Sequence, residues 1–259
     1  MSQAKPYGTV LLKADSILNF LASSEVGQPL HIIAKETEMT NSTVSKILGT
    51  LELMDYVERD KHTKTYRFGS GLVKYANQYL SDLDISKVAH PTLKKLHAEL
   101  DETVHLSVRE GDKILYVNKL ESKRPIVVTT SKIGFSKPMY ASAMGKAMLA
   151  ENPEEDVDAY LERVALIPFT ANTITDPVAL KNELTDIRQQ RYAIDTSEEQ
   201  NEVFCIGATL SYEGVNYGAF SVSLPAYRRT PELESHLIKV IKEAKTEILK
   251  KLARLHLYL

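Results

Sequence analysis

The chain has no tryptophan and a single cysteine, Cys205, among its 259 residues. One cysteine excludes an internal disulfide and a cysteine-rich zinc site. Long apolar runs are also missing: the densest, such as residues 147–150, fall far short of the roughly 18–20 residues that span a bilayer. The first seven residues lack the apolar core of a signal peptide. With an ordinary globular composition as well, we expect a soluble, cytoplasmic protein without a membrane partner.

A strong charge of either sign is missing too, since 32 Lys and Arg face 34 Asp and Glu and the net charge is −2. Many nucleic-acid-binding proteins have a distinctly basic domain. Residues 1–81 carry nine basic and eight acidic side chains, so this chain does not. A DNA-binding function must therefore be argued from where the charges lie. The length itself suggests two domains, or one large one.

Residues 1–70 predict a winged helix-turn-helix domain. Apolar residues at helical spacing predict helices over residues 13–23, 30–36 and 40–51. Two short strands, at residues 56–59 and 65–69, then flank a polar loop. The order of three helices followed by a hairpin is that of a winged helix. The alternative is a small three-helix domain that binds a protein partner or nothing.

The third predicted helix has an apolar stripe on one face and small polar residues, nearly free of negative charge, on the other. Short hydrogen-bonding side chains without carboxylates suit a helix that enters the major groove. Basic side chains at the tip and base of the hairpin are expected to reach phosphates or a minor groove. The candidate DNA-binding residues are Thr40, Asn41, Ser42, Thr43, Ser45, Lys46 and Thr50 on the helix, and Arg59, Lys61, His62, Lys64 and Arg67 on the hairpin.

Residues 71–81 predict a linking helix, and residues 82–259 predict a second domain of α+β class, in which a mixed sheet packs on one layer of helices. A long helix with Pro91 inside it opens this domain. Hairpins are predicted around Gly111 and Gly214, helices over residues 140–150 and 177–190, and an amphipathic helix over residues 232–255.

Three motifs of the second domain, in order, accompany the helix-turn-helix: residues 102–106, residues 141–147, and residues 195–199 followed by 203–208. With residues 40–51 and the wing, they make the chain resemble IclR-type bacterial transcriptional regulators from about residue 13 to 255. The resemblance implies a GAF-like C-terminal domain that binds a small effector, double-stranded operator DNA as partner, and assembly into homodimers or homotetramers. We expect a repressor.

The resemblance also implies an effector pocket formed by these motifs. Ala143, Met144 and Gly145 begin a predicted helix, where free N–H groups suit a small carboxylate; tight packing of small residues is the alternative. Asp195 and Cys205 match family positions that face the ligand, although a turn or ordinary burial would also explain them. The remaining candidates are the hydroxyl groups of Ser221 and Ser223, on one sheet face, and a wall of Ile126 and Thr129.

Two other functions remain as alternatives. The first is an enzyme with Cys205 as nucleophile, supported by Asp195 and His105. The sequence contains no P-loop, dinucleotide fingerprint or nucleophile elbow, and the seven histidines show no metal-binding spacing, so we expect no enzyme, cofactor or metal. The second is a C-terminal domain that only oligomerises.

Overall fold

The computed structural model describes residues 8–82, 84–124 and 131–256. The chain divides into two compact units, Met1–Asp82 and Leu83–Leu259, which we call the N-terminal and C-terminal domains. The helix that follows the wing therefore groups with the N-terminal unit. Within the described ranges, no helix is both long enough and apolar enough to cross a membrane.

The N-terminal domain begins with three helices and a small sheet, which a fourth helix follows. The helices are α1 (Thr9–Ser23), α2 (Leu30–Glu36) and α3 (Asn41–Leu53); the strands are β1 (Gln28–Pro29), β2 (Val57–Arg59) and β3 (Thr65–Phe68), in the order β1-β3-β2. A short 3₁₀ turn, Ser70–Leu72, leads into α4 (Val73–Asp82). The core is apolar and includes Ile17, Ile33, Val44, Leu48 and Tyr66.

Helix α1 begins four residues earlier than the sequence predicted, at Thr9. The added turn contains Val10, Leu11 and Leu12, all of which are exposed, so it contributes nothing to the buried stripe on which the prediction rested. Strand β1 was not predicted. It is only two residues long and exists because Gln28 pairs with Tyr66 of β3.

The C-terminal domain alternates helices with a six-stranded sheet. Its helices are α5 (Asp84–Leu100), α6 (Ala143–Leu149), α7 (Glu154–Arg163), α8 (Pro177–Gln190) and α9 (Pro231–His256). Its strands are β4 (Thr103–Glu110), β5 (Lys113–Leu120), β6 (Ser136–Pro138), β7 (Ala193–Thr196), β8 (Val203–Tyr212) and β9 (Val215–Pro225). A second 3₁₀ turn, Ala226–Arg228, precedes α9.

The α+β class is confirmed, but the prediction of a mixed sheet is wrong. The strand order is β6-β5-β4-β9-β8-β7, and each of these pairings in the described chain is antiparallel. The reason lies in the connections. The segment containing α6, α7 and α8 carries the chain from β6 at one edge to β7 at the other, so no neighbouring strands are joined by a parallel crossover.

Helices cover both faces of this sheet, so the prediction of a single helical layer is wrong: the segment between β6 and β7 covers one face, and the helices at the two ends of the domain cover the other. Helix α6 packs against β5, β7, β8 and β9, and shares a hydrophobic core with α7 and α8. Helices α5 and α9 contact each other, and α9 lies on β8. Because successive strand residues point to opposite faces, Cys205 faces the α6 side, while Phe204 and Ile206 face the α9 side. The α6 side of the sheet is where polar residues collect.

Candidate functional site

The exposed face of α3 carries the polar residues predicted from the sequence. Thr40 is the N-cap, and its hydroxyl accepts a hydrogen bond from the N–H of Thr43 at 3.2 Å. The Thr40 and Thr43 hydroxyl groups also bond to each other at 2.9 Å, so the helix start occupies both. The side chains of Asn41, Ser42, Ser45, Lys46 and Thr50 are also exposed, and the Thr50 hydroxyl donates to the main-chain carbonyl of Lys46 at 3.2 Å.

The wing is a turn of defined shape between β2 and β3. The carboxylate of Asp60 accepts the main-chain N–H groups of His62 and Thr63, each at 2.8 Å, and these bonds hold the pKa of Asp60 below its usual value. The turn closes with Lys64 in the left-handed region, at φ 58°. The fixed turn exposes Lys61, His62 and Lys64 at its tip.

The two arginines at the base of the wing are engaged within the domain. Arg67 forms an ion pair with Glu58, its cross-strand neighbour. The guanidinium of Arg59 lies over the ring of Tyr66, 5.4 Å from the ring centroid. Of the predicted wing cations, those at the tip are therefore the ones whose charge is least compensated.

In the C-terminal domain, four strands bring predicted residues into one row on the α6 side of the sheet. Asp195 pairs with Cys205, Cys205 with Ser223, and Ser223 with Thr103. The adjacent row places Ser221 opposite His105. Since directly opposed residues on one face lie about 5 Å apart, the row forms a continuous polar strip.

Most of this strip lines a small cavity of about 30 Å³ under the start of α6. The predicted residues Ala143, Met144, Asp195, Cys205, Ser221 and Ser223 all line it. The prediction missed several others, namely His105 as a lining residue, Tyr116, Ser131, Ser142, Glu199, Gln200 and Val203. Ile126 and Thr129, the predicted wall, lie outside the described residues.

A chain of hydrogen bonds crosses the cavity wall. Cys205 Sγ lies 3.1 Å from Ser223 Oγ, which lies 3.4 Å from Nδ1 of His105. His105 Nε2 lies 2.6 Å from Ser131 Oγ. Burial, with a smaller contribution from Lys119, lowers the pKa of His105 to about 3, so the imidazole is neutral at physiological pH. Burial also raises the pKa of the Cys205 thiol well above its ordinary value, the opposite of what an activated nucleophile requires.

Asp195 holds the turn that follows β7. One of its carboxylate oxygens accepts the main-chain N–H of Glu198 at 2.7 Å. Burial raises the pKa of Asp195 to about 7; the Glu198 N–H opposes that shift, and the nearby Glu198 carboxylate adds to it. Asp195 therefore both holds this turn and lines the cavity.

Lys146 of α6 is fully buried and does not line the cavity. Its Nζ contacts Oε1 of Glu198 at 2.6 Å and Oε1 of Glu183 in α8 at 2.9 Å. Burial raises the pKa of Glu198, while Lys146 opposes that shift. The lysine therefore joins α6, α8 and the turn beside Asp195, and the sequence analysis did not predict this.

The start of α6 serves both packing and the cavity. The predicted helix over residues 140–150 is shorter, because Ser142 caps it and accepts the N–H of Gly145 at 3.1 Å. A Cβ on Gly145 would lie 2.2 Å from the carbonyl oxygen of Met139, so this glycine is required by close packing and is not a lining residue. A Cβ on Gly207 of β8 would lie 3.3 Å from the Met144 nitrogen, so the helix start rests directly on the sheet.

Family models match both domains. The IclR helix-turn-helix domain matches residues 10–61, and the C-terminal domain of the bacterial transcriptional regulator IclR matches residues 77–249. The second match alone covers more than half of the chain. The chain therefore belongs to the IclR family of bacterial transcriptional regulators.

Full-length relatives agree with this assignment. The chain is 30% identical over 236 residues to the DNA-binding transcriptional repressor YiaJ of Escherichia coli, covering 90% of this chain and 84% of YiaJ. The crystal structure of Thermotoga maritima IclR shares 33% identity and a TM-score of 0.78 over 95% of this chain and 99% of that one. An IclR homolog of Microbacterium hydrocarbonoxydans, crystallised with 4-hydroxybenzoate, has the same fold, with a TM-score of 0.80 at 22% identity over 95% and 99% of the two chains.

These relatives are regulators, and the protein is a DNA-binding transcriptional regulator rather than an enzyme. The raised pKa of Cys205 agrees with that conclusion, because a neutral buried thiol is a poor nucleophile. Within the described ranges, no group of three or more His, Cys, Asp or Glu side chains is placed to hold a metal ion.

Proposed function

We propose that this regulator is a repressor that binds operator DNA through α3 and the wing, and that a small organic acid bound in the C-terminal cavity changes its operator affinity. The observation that carries the DNA interface is the exposed, carboxylate-free row of Asn41, Ser42, Ser45, Lys46 and Thr50 on α3. Such a row can approach base edges without repulsion from phosphates. Because its target is chromosomal DNA, we expect the protein in the cytoplasm.

Lys61, His62 and Lys64 of the wing tip complete the interface by contacting phosphates or the minor groove. Arg59 and Arg67 support the wing from its base, through the Tyr66 ring and Glu58. The helix cap formed by Thr40 and Thr43 fixes the entry angle of α3. In this proposal, the exposed face of α3 recognises the base sequence, and the wing contributes affinity that does not depend on sequence.

The test of the DNA interface is selection of binding sites from random DNA with the full-length protein, followed by affinity measurements on the selected site. Alanine at Lys46 and at Lys61 should each weaken binding. Alanine at Lys35, an exposed lysine of α2 that lies 3.9 Å from Glu36, is the matched control and should change affinity little. Unchanged operator affinity in both the Lys46 and Lys61 variants would refute the proposed docking.

A twofold assembly is part of the proposal, because one α3 reads too few base pairs for useful specificity. Apolar side chains in the N-terminal domain support it. Val73 and Tyr75 of α4 are each more than half exposed, as are Val10, Leu11 and Leu12 of α1. We propose that one or both of these faces are covered in a homodimer or a tetramer of two dimers.

Sedimentation at micromolar concentration tests this assembly, with Tyr75→Glu as the disrupting variant and Tyr227→Glu, an exposed tyrosine of the C-terminal domain, as its control. We expect a pseudo-palindromic selected site. A monomer that binds a single half-site tightly would contradict the proposal.

The effector proposal rests on the cavity under α6. The first N–H groups of a helix have no acceptor within the helix. The Ser142 hydroxyl accepts that of Gly145, and Ala143 and Met144, the two residues before it, line the cavity. We propose that their N–H groups bind the effector carboxylate. Ser221, Ser223 and Asp195 then bind a hydroxyl or keto group at the other end, a pattern that 4-hydroxybenzoate, the ligand of the structural relative, would also satisfy.

A cavity of 30 Å³ holds no more than one or two water molecules, so effector binding must enlarge it. Enlargement couples ligand binding to a change in protein conformation, which a regulator requires. The test is thermal stability against a panel of small organic acids, each paired with its uncharged amide. We expect stabilisation by an acid and none by its amide. Equal increases in melting temperature for acid and amide would refute the proposed carboxylate contact. No increase with any acid would favour a domain that only oligomerises.

A further inference from the structure

A groove separate from the effector cavity runs along the outer edge of β7. Its volume is about 730 Å³, within the roughly 300–1,000 Å³ typical of ligand sites. Glu183 and Asp186 of α8 form one wall, and Ile194 and Thr196 of β7 form the floor. Glu198 also lines the groove and does not line the effector cavity.

The main chain of β7 presents hydrogen-bonding groups to this groove. The carbonyl of Tyr192 accepts Nε2 of Gln190 at 3.2 Å, and the carbonyl of Thr196 accepts Nδ2 of Asn172 at 3.0 Å. Both carbonyls therefore point away from β8. In an antiparallel pair, alternate residues point the same way, so the N–H and C=O of Ile194 also point outward. No partner for them is recorded in the described part of the chain.

The groove walls carry an excess of negative charge. The Lys146 ammonium is the shared counter-ion of two carboxylates, those of Glu183 and Glu198. Asp186 is exposed and forms no ion pair with any described residue. Arg229, at the far end, is held 2.7 Å from a glutamate of α9. The walls therefore attract a cation and repel an anion.

Glu198 adds an unsatisfied acceptor to the same wall. The residue is 6% exposed, and its Oε1 is bonded to Lys146. Its Oε2 is buried and has no hydrogen-bond partner among the described residues. A buried carboxylate oxygen without a donor is unfavourable, so a ligand donor that displaces this wall enough to reach Oε2 would be stabilised there.

The geometry points to a second ligand site in this groove, for a small aliphatic molecule with a primary ammonium group. An ammonium group has three donors and no acceptor. Asp186, the free oxygen of Glu198 and the carbonyl of Ile194 are three acceptors of the matching kind. The inference stands apart from the proposed effector, since the two ligands have opposite charge and occupy different cavities.

The test is isothermal titration of the full-length protein with 1,4-diaminobutane in 150 mM salt, compared with 1,4-butanediol, which has the same length and no charge. We expect saturable binding of the diamine and none of the diol. 6-Aminohexanoate tells whether an amino acid suffices: if it binds too, the ammonium group alone is recognised, and if it does not, the site selects for amines without a carboxylate.

Asp186→Asn is the diagnostic variant, because Asp186 has no partner whose loss would disturb the fold. We expect diamine binding to weaken about tenfold, the effect of losing one charge-assisted contact. Glu162→Gln, which removes an exposed acid of α7, is the control and should bind like the parent protein. No saturable diamine binding, equal binding of the diol, or equal weakening in the two variants would overturn the inference.

Discussion

Replacing Lys146 by methionine is the sharpest perturbation that the C-terminal domain offers. Methionine keeps the length of the side chain and removes its charge. The change leaves Glu198, which is almost fully buried, and Glu183, about one third exposed, without their shared counter-ion. The packing is preserved, so any loss of stability reports on the uncompensated carboxylates.

Removing one partner of a buried ion pair typically costs about 3–5 kcal/mol. Here the cost depends on pH, because burial already raises the pKa of Glu198 and Lys146 is the group that opposes the shift. Without Lys146 that pKa rises further, and the folded state binds a proton that the unfolded state releases. Stability then falls as pH rises. We therefore expect the full cost at pH 8 and a smaller one at pH 5.

Urea denaturation followed by circular dichroism at the two pH values measures both costs. Adding Glu198→Gln to the methionine variant should recover part of the loss at pH 8, since it removes the buried charge. Lys181→Met is the control, because its ion pair with Asp158 is exposed and should contribute little. A loss in the Lys146 variant no greater than in this control, or one independent of pH, would refute the reasoning.

Three further predictions concern other parts of the molecule. Lys61→Ala should reduce the salt dependence of operator binding by about one unit, whereas Lys46→Ala should cost about tenfold or more at one base-pair position; anisotropy titrations over a salt series separate the two. Burial raises the pKa of Asp195 from 3.8 to about 7, so the parent protein loses stability as pH rises and this carboxyl ionises. Asp195→Asn lacks that carboxyl, and its free energy of unfolding relative to the parent should therefore rise by up to about 4 kcal/mol from pH 4 to pH 8 in denaturation experiments. Gly145→Ala places a Cβ 2.2 Å from a main-chain oxygen and should lower the melting temperature, whereas Gly49→Ala, in open space on α3, should not.

The sequence predicted best what short stretches of chain determine. Helix α3 has a complete apolar stripe and an N-cap threonine, Thr40, both of which depend on neighbours within one or two turns. Strands β1 and β6 were missed because each has two or three residues and is held by cross-strand partners distant in the chain. The antiparallel direction of the strand pairings was missed for the same reason, because no local sequence pattern shows which hairpins will pair.

The candidate site shows the same division. Asp195, Cys205 and Ser223 were predicted from the family motif and from strand alternation, and they share one row of the sheet. His105 enters the cavity only because β4 pairs with β9, whose sequence lies more than 100 residues away. The contact between Lys146 and Glu183 depends on how α6 packs against α8, and no local sequence pattern predicts it.

The proposed binding of an effector in this pocket would have to compete with interactions that the protein already makes. The cavity is nearly filled, and the Asp195 carboxylate that would bind the effector also holds the turn at Glu198, which Lys146 ties to α6 and α8. The apparent affinity of such a ligand would therefore be its intrinsic affinity reduced by the cost of opening the cavity. A ligand that only replaced the Glu198 N–H at Asp195 would gain little, so the carboxylate contact at the start of α6 must supply most of the difference between open and closed states. Breaking the hydrogen bond between Asp195 and the Glu198 N–H would in turn strain the Lys146 contacts. A conformational change at the cavity would thereby reach α8.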